Sequence, residues 1–198
     1  MLRLNISSAL RMKTELDEIL CARYPKIFCD RNGDMRDTAM CWGFACGDGW
    51  FNIIDMLCAN IQTHIDGTRS RRASVLRFNR ALERSSKDNL APLIRYFRGK
   101  RESPTEWDIE QAKEMFEDIE PQCNTAPPAC QQVVVSQVKE KFGTLRFYYH
   151  GGDKVVDGMV RMAESMSAVT CEECGNSGER RGGGWIITLC DTHAKERI

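Results

Sequence analysis

Residues 171–193 read Cys171-Glu-Glu-Cys174-Gly-Asn-Ser-Gly-Glu-Arg-Arg-Gly-Gly-Gly-Trp-Ile-Ile-Thr-Leu-Cys190-Asp-Thr-His193, a C-x2-C-x15-C-x2-H spacing. Two thiols separated by two residues converge from one tight turn, and Gly175 suits a turn whose amides face thiolate sulfur. Zinc takes four such soft or borderline ligands at the corners of a tetrahedron. Cys171, Cys174, Cys190 and His193 are therefore the candidate metal ligands, and zinc is the expected cofactor. Three thiolates and a neutral imidazole leave a Zn²⁺ centre near a net charge of about −1, a poor Lewis acid, so a closed structural site is expected.

The 15 residues between the second and third ligands fit a glycine-rich hairpin ending in a strand from Trp185 to Leu189. Cys190 then opens a short helix with His193 on the same side. This arrangement resembles a treble-clef finger. It defines a module over residues 169–198, packed on an α+β body over residues 1–168.

Working towards the amino terminus, Asp153 caps a helix over 154–168 whose stripe is Val155, Val156, Met159, Val160, Ala163 and Met166. Ahead of it the β-branched run at Val133 and the alternation from Thr144 to Tyr149 predict a hairpin over about 132–149, turning at Phe142-Gly143. The earlier part reads as mainly helical. A first helix is capped by Ser7 or Ser8 and stops near Arg23, before Pro25. A second spans 49–65 and ends at Asp66-Gly67. Residues 67–101 suggest two helical pieces broken near Ser85-Ser86. A further helix starts from Ser103 as cap, Pro104 and Glu106 as the reciprocal capping partner, and ends at Pro121. Helices first and strands later favour α+β over a wound parallel sheet.

Charge is balanced overall, with 28 basic and 28 acidic residues. That excludes a polyanion binder that uses its whole surface, but not a local patch. Residues 67–101 hold eleven basic side chains against two acidic, or +9, and residues 102–120 hold one against eight, or −7. One reading makes Arg69, Arg71, Arg72, Arg77 and Arg80 phosphate contacts, with Phe78, Tyr96 and Phe97 available for stacking. Lys139, Lys141, Arg146 and Tyr148 on the hairpin add to such a pocket. The other reading has the two blocks neutralise one another within the fold or across a homo-oligomer.

No apolar run approaches the roughly 18 residues of a membrane span, and Met1–Leu20 is too charged for a signal peptide. A cytoplasmic location is expected, so the ten cysteines imply metal or buried thiols before disulfides. Cys21 and Cys58 lie on apolar helix faces and read as core. Cys29, Cys41, Cys46, Cys123 and Cys130 either stay free thiols or form a second metal site. A cysteine nucleophile needs a histidine partner, and besides His193 only His64 and His150 exist. The glycine turns before Asp48 and Asp153 read as ordinary helix caps rather than phosphate loops.

Three stretches together, Cys41-Trp-Gly-Phe-Ala-Cys-Gly-Asp-Gly-Trp50, Lys139-Glu-Lys-Phe-Gly-Thr-Leu-Arg-Phe-Tyr-Tyr149 and Cys171–His193, resemble an uncharacterised family of bacteriophage and prophage proteins with a C-terminal treble-clef-like zinc finger. The resemblance carries no catalytic residue across. It implies a phage accessory protein in the bacterial host cytoplasm, binding a small phosphorylated or nucleotide-like signal or a host defence protein. A non-catalytic anti-defence role is the leading expectation. A nucleic-acid binder using residues 69–101 and a nuclease or cysteine-dependent hydrolase are the alternatives.

Overall fold

A computed structural model describes residues 11–117, 121–182 and 185–196. In chain order the elements are α1 (Thr14–Arg23), α2 (Phe51–Glu83), α3 (Ala91–Arg98), α4 (Glu106–Glu114), β1 (Gln131–Lys141), β2 (Thr144–Gly152), α5 (Lys154–Ser167), β3 (Glu179–Arg181), β4 (Ile187–Leu189) and α6 (Asp191–Glu196). Helix and two small antiparallel sheets, β1–β2 and β3–β4, make an α+β chain. It divides into two compact units, residues 1–65 with 130–198, and residues 66–129. The boundary expected at 168/169 lies inside the first unit.

The first unit is organised on the β1–β2 hairpin. Phe142 and Gly143 both have positive φ (57° and 76°) between the paired Lys141 and Thr144. That is the backbone of a two-residue primed turn, whose twist matches that of the strands. Val133 and Val135 are buried in the alternation expected of a half-buried strand, but the next buried residue is Val138. A register shift between Val135 and Gln137 inserts one residue and moves the buried face from odd to even positions. On β1's other edge the Val135 N–H donates to the Ile27 carbonyl, Ala45 N–H to Val138 and Glu140 N–H to Ala45. The segment after α1 thus covers an edge that would otherwise be open to pairing.

Leu20, Ile54, Ile61, Ile65, Val133, Val138, Leu145 and Val156 fill the core of this unit. Helix α5 packs through Val156, Val160, Ala163 and Ser167, spaced by three and four residues. Its expected cap is present, with Asp153 accepting from the N–H groups of Val155 and Val156. Val155 and Met166, expected on the stripe, are exposed instead.

The Cys41–Trp50 motif is the seat for the C-terminal segment. The Arg31 guanidinium grips buried Asp17 through two bonds of 2.9 Å and reaches the Cys41 carbonyl. Beyond it, the Gly49 N–H donates to the Glu172 carbonyl at 2.8 Å and the Gly47 N–H to Glu172 Oε1 at 3.0 Å. Trp50, fully buried, donates its indole N–H to the Thr170 carbonyl at 2.9 Å. A side chain at Gly49 would collide with the Cys171 carbonyl and the amides of Cys174 and Gly175. These glycines serve close approach.

In the second unit the latter part of α2, with α3 and α4, encloses Leu82, Leu93, Ala112 and Phe116. Three sequence expectations change here. Helix α2 does not end at Asp66-Gly67 but continues to Glu83. A mid-helix glycine costs only about 1 kcal/mol relative to alanine, less than a lost helical continuation. The capping box of α4 is formed by Thr105 and Asp108, not by Ser103 and Glu106. Asp108 Oδ2 accepts the Thr105 N–H at 2.6 Å while its other oxygen takes Arg101. Helix α4 ends at Glu114, ahead of Pro121. In the first unit, α1 begins at Thr14, and the expected Ser7 or Ser8 cap lies outside the described residues.

Gly49→Ala is expected to lower stability by about 1–3 kcal/mol, because backbone must yield to the new methyl group. Gly67→Ala, with no neighbour within 4 Å of the added carbon, is expected to raise it by about 0.5–1 kcal/mol. Urea unfolding of the two variants beside the unchanged chain measures both.

Candidate metal centre and a cationic cavity

The cysteine knuckle is built by hydrogen bonds that turn the chain back on itself. Cys171 N–H donates to the Asn176 carbonyl at 2.7 Å and Gly175 N–H to the Cys171 carbonyl at 2.9 Å. Gly175 supplies the left-handed residue this turn requires, at φ 77°. Glu172 N–H donates to the Thr188 carbonyl on β4, so the strand is registered against the knuckle. Cys190 follows β4 directly, and α6 presents His193 one turn on. Cys190 therefore precedes that helix rather than lying in it.

The sulfurs of Cys171, Cys174 and Cys190 and a ring nitrogen of His193 lie within 4.8 Å of one another. His193 Nδ1 is 3.5 Å from Cys171 Sγ and 3.2 Å from Cys190 Sγ, and Cys174 Sγ is 3.9 Å from Cys190 Sγ. A tetrahedron with metal–sulfur bonds of about 2.3 Å and a metal–nitrogen bond of about 2.0 Å has edges of about 3.8 Å between sulfurs and about 3.5 Å from sulfur to nitrogen. The three separations given lie within about 0.3 Å of those edges. The predicted ligand set is thus one cluster able to hold a metal ion.

Its protonation is poised for exchange with a metal. The His193 N–H faces Cys190 Sγ and, against desolvation and with help from the imidazole, brings that thiol down to about 6. His193 is raised above its usual value by its hydrogen bonds to Cys190 and then Cys171.

The other cysteines do not gather as the sequence left open. Cys46 is fully buried, and burial, then the Glu172 carboxylate, keeps its thiol protonated. Cys41 donates to the Thr38 carbonyl, Cys29 lies beside Asp30, and Cys123 lies by Asn79 and Glu83 in the second unit. Cys21 and Cys58 belong to the core, as expected. Cys130 instead meets His64 and Asp153. His150 is exposed on β2 and clusters with no cysteine among the described residues. The amides at Gly47 and Gly49 are taken by Glu172, which leaves that turn no phosphate cradle.

The second unit holds a cavity of about 450 Å³ lined by Arg77, Arg80, Arg84, Asn89, Arg95 and Tyr96, over a floor of Ala81, Ala91 and Pro92. A spacing of three places Arg77 and Arg80 on one face of α2, Arg84 follows directly after its last residue, and Arg95 comes from α3. Among the described residues no carboxylate lines the cavity. Tyr96 also borders a smaller cavity of about 340 Å³ with Phe78 and Phe97, and stacks edge-on against both rings. Ion pairing between the basic and acidic blocks is limited, among the described residues, to Arg101–Asp108.

Of the arginines expected from sequence, Arg77 and Arg80 line this cavity, while Arg69 and Arg71 lie earlier on α2, outside it. Arg72 is committed to the Ala126 and Pro127 carbonyls. Lys139, Lys141, Arg146 and Tyr148 belong to the first unit. There Lys139 covers the Tyr148 ring, Lys141 covers Phe142, and Arg146 approaches Glu164. Arg84 and Arg95 were missed as contacts; the repeat of three and four from Arg77 was the available signal for Arg84. No helix among the described residues is long and apolar enough to cross a membrane. Comparison with family models, curated proteins and solved structures finds no match.

Cys171→Ala is expected to remove one equivalent of bound metal and to unfold the β3–β4 hairpin, since binding energy at such a site is folding energy. Protons compete for Cys174, whose thiol lies above its usual value, for the raised His193 and, near pH 6, for Cys190, so metal affinity falls as pH drops through the neutral range and falls more steeply below about pH 6. Competition titration against a chelator across this range checks the sign and the slope.

Proposed function

We propose that this is a non-catalytic, zinc-stabilised binding protein of phage origin whose arginine-lined cavity holds a small phosphorylated or nucleotide-like signal of the bacterial host. By withholding that signal in the host cytoplasm it counters a defence pathway.

One observation carries the reading. Four guanidinium side chains, Arg77, Arg80, Arg84 and Arg95, line one cavity with an aromatic ring and, among the described residues, no carboxylate. Like charges held together cost free energy that a bound anion relieves, and guanidinium matches phosphate oxygens in pairs. Tyr96 offers a face or edge to a base, and the volume falls in the range of small-molecule sites. Zinc is favoured at the other site because three thiolates and one imidazole select a soft or borderline ion of tetrahedral preference. With four protein ligands in place it would brace the fold and leave no position for water. The phage assignment rests on the resemblance carried by Cys41–Trp50, Lys139–Tyr149 and Cys171–His193.

Calorimetric titration against cyclic mono- and dinucleotides is expected to give one-to-one binding by at least one of them. Arg80→Ala and Arg95→Ala should each weaken it about 10- to 100-fold, as for a lost charged hydrogen bond. Arg71→Ala should leave it within a factor of about two. No heat from any ligand, or binding indifferent to both cavity substitutions, overturns the reading. Binding instead to oligonucleotides with a steep salt dependence replaces it with the nucleic-acid alternative. Elemental analysis of protein purified without chelator is expected to find zinc.

A further inference from the structure

His64, Cys130 and Asp153 come from three separate elements of the first unit: α2, the residue before β1, and the cap of α5. One donor atom from each, nitrogen, sulfur and oxygen, lies within 4.8 Å of the other two. His64 Nε2 stands 2.8 Å from Asp153 Oδ2. The second carboxylate oxygen, Oδ1, is fixed by the N–H groups of Val155 at 3.0 Å and Val156 at 3.1 Å. Helix capping therefore orients the carboxylate and directs its other oxygen at the imidazole. Such outer support is what orients metal ligands.

We propose that His64, Cys130 and Asp153 form a second metal site, for a divalent ion of the zinc, cobalt or nickel type, with a coordination position left for water or an anionic oxygen. Magnesium and calcium favour all-oxygen shells, whereas a mixed nitrogen, sulfur and oxygen set suits borderline ions. Three protein ligands are the number found where a fourth position stays open. The side chains of His64 and Asp153 are 20% and 38% exposed, so solvent reaches the site, while Cys130 is only 4% exposed.

The arrangement does not fit a cysteine nucleophile. In such a relay the imidazole stands between thiol and carboxylate. Here the imidazole meets the carboxylate while the Cys130 thiol donates to the Gln131 carbonyl at 3.5 Å, and the His64 bond is the main reason that Asp153 stays below the usual carboxylate range. A metal would displace those protons. It would open the 2.8 Å nitrogen–oxygen contact to about 3.3 Å, the edge set by bonds of about 2.0 Å.

The test uses the full chain, stripped of metal and equilibrated with micromolar free cobalt(II). The unchanged protein is expected to hold two cobalt ions, both with four-coordinate visible bands. Asp153→Asn keeps a side chain able to cap α5, and His64→Gln sits outside the core. Each is expected to hold one cobalt ion with an unchanged far-ultraviolet dichroism spectrum, whereas Cys190→Ala loses the other ion. One cobalt ion in the unchanged protein, or two retained in both Asp153→Asn and His64→Gln, overturns the proposal. An ion lost in Cys190→Ala but in neither of the other two variants likewise overturns it.

Discussion

Everything in the first unit turns on the close approach of the knuckle to the turn at Gly47–Trp50. Glu172 is the hinge of that contact. Its carbonyl and one carboxylate oxygen receive the amides of Gly49 and Gly47, and its own amide holds β4. A carboxylate 1% exposed is tolerated only where backbone dipoles meet it. The consequence reaches the metal cluster directly: Cys171 and Cys174 flank Glu172, so the bonds that seat it also set where two of the four donors stand. The metal centre is thus continuous with the core rather than appended to it.

The Phe142-Gly143 turn makes the second anchor. Thr188 Oγ1 donates to the Gly143 carbonyl at 2.5 Å and Arg180 to the Phe142 carbonyl at 2.9 Å. Both motifs that mark the body, Cys41–Trp50 and Lys139–Tyr149, therefore end on the C-terminal segment. Their composition follows from that: glycine where backbone passes backbone, a buried indole that reaches a carbonyl, and a tight turn that exposes its carbonyls to a neighbour.

The legible parts were the local ones. C-x2-C and C-x2-H spacings act within one turn each, and the primed turn at Phe142-Gly143 needs only its own residues. The helix ends were less legible. Gly67 looks like a stop because a single window cannot weigh its small cost against a helix running on to Glu83. The α4 cap was misplaced because Ser103, Thr105, Glu106 and Asp108 offer two overlapping capping boxes, and Arg101 selects Asp108. The cavity was half legible: the dense run at Arg69–Arg72 drew attention, although Arg72 serves backbone carbonyls and Arg95 enters only through the fold. The pairing of His64, Cys130 and Asp153 left no local trace at all.

The bond from Gly47 to Glu172 closes a loop of 125 residues. On a ribosome adding about 5–20 residues per second, the seat at Gly47–Trp50 emerges roughly 6–25 seconds before its occupant exists. During that interval Trp50 lacks its carbonyl partner and the turn's glycines face nothing that their smallness was fitted to. The nascent chain is then exposed to mispairing in its glycine-dependent turn, and the arrival of Thr170–Glu172 decides whether the Gly47–Trp50 turn is properly sealed.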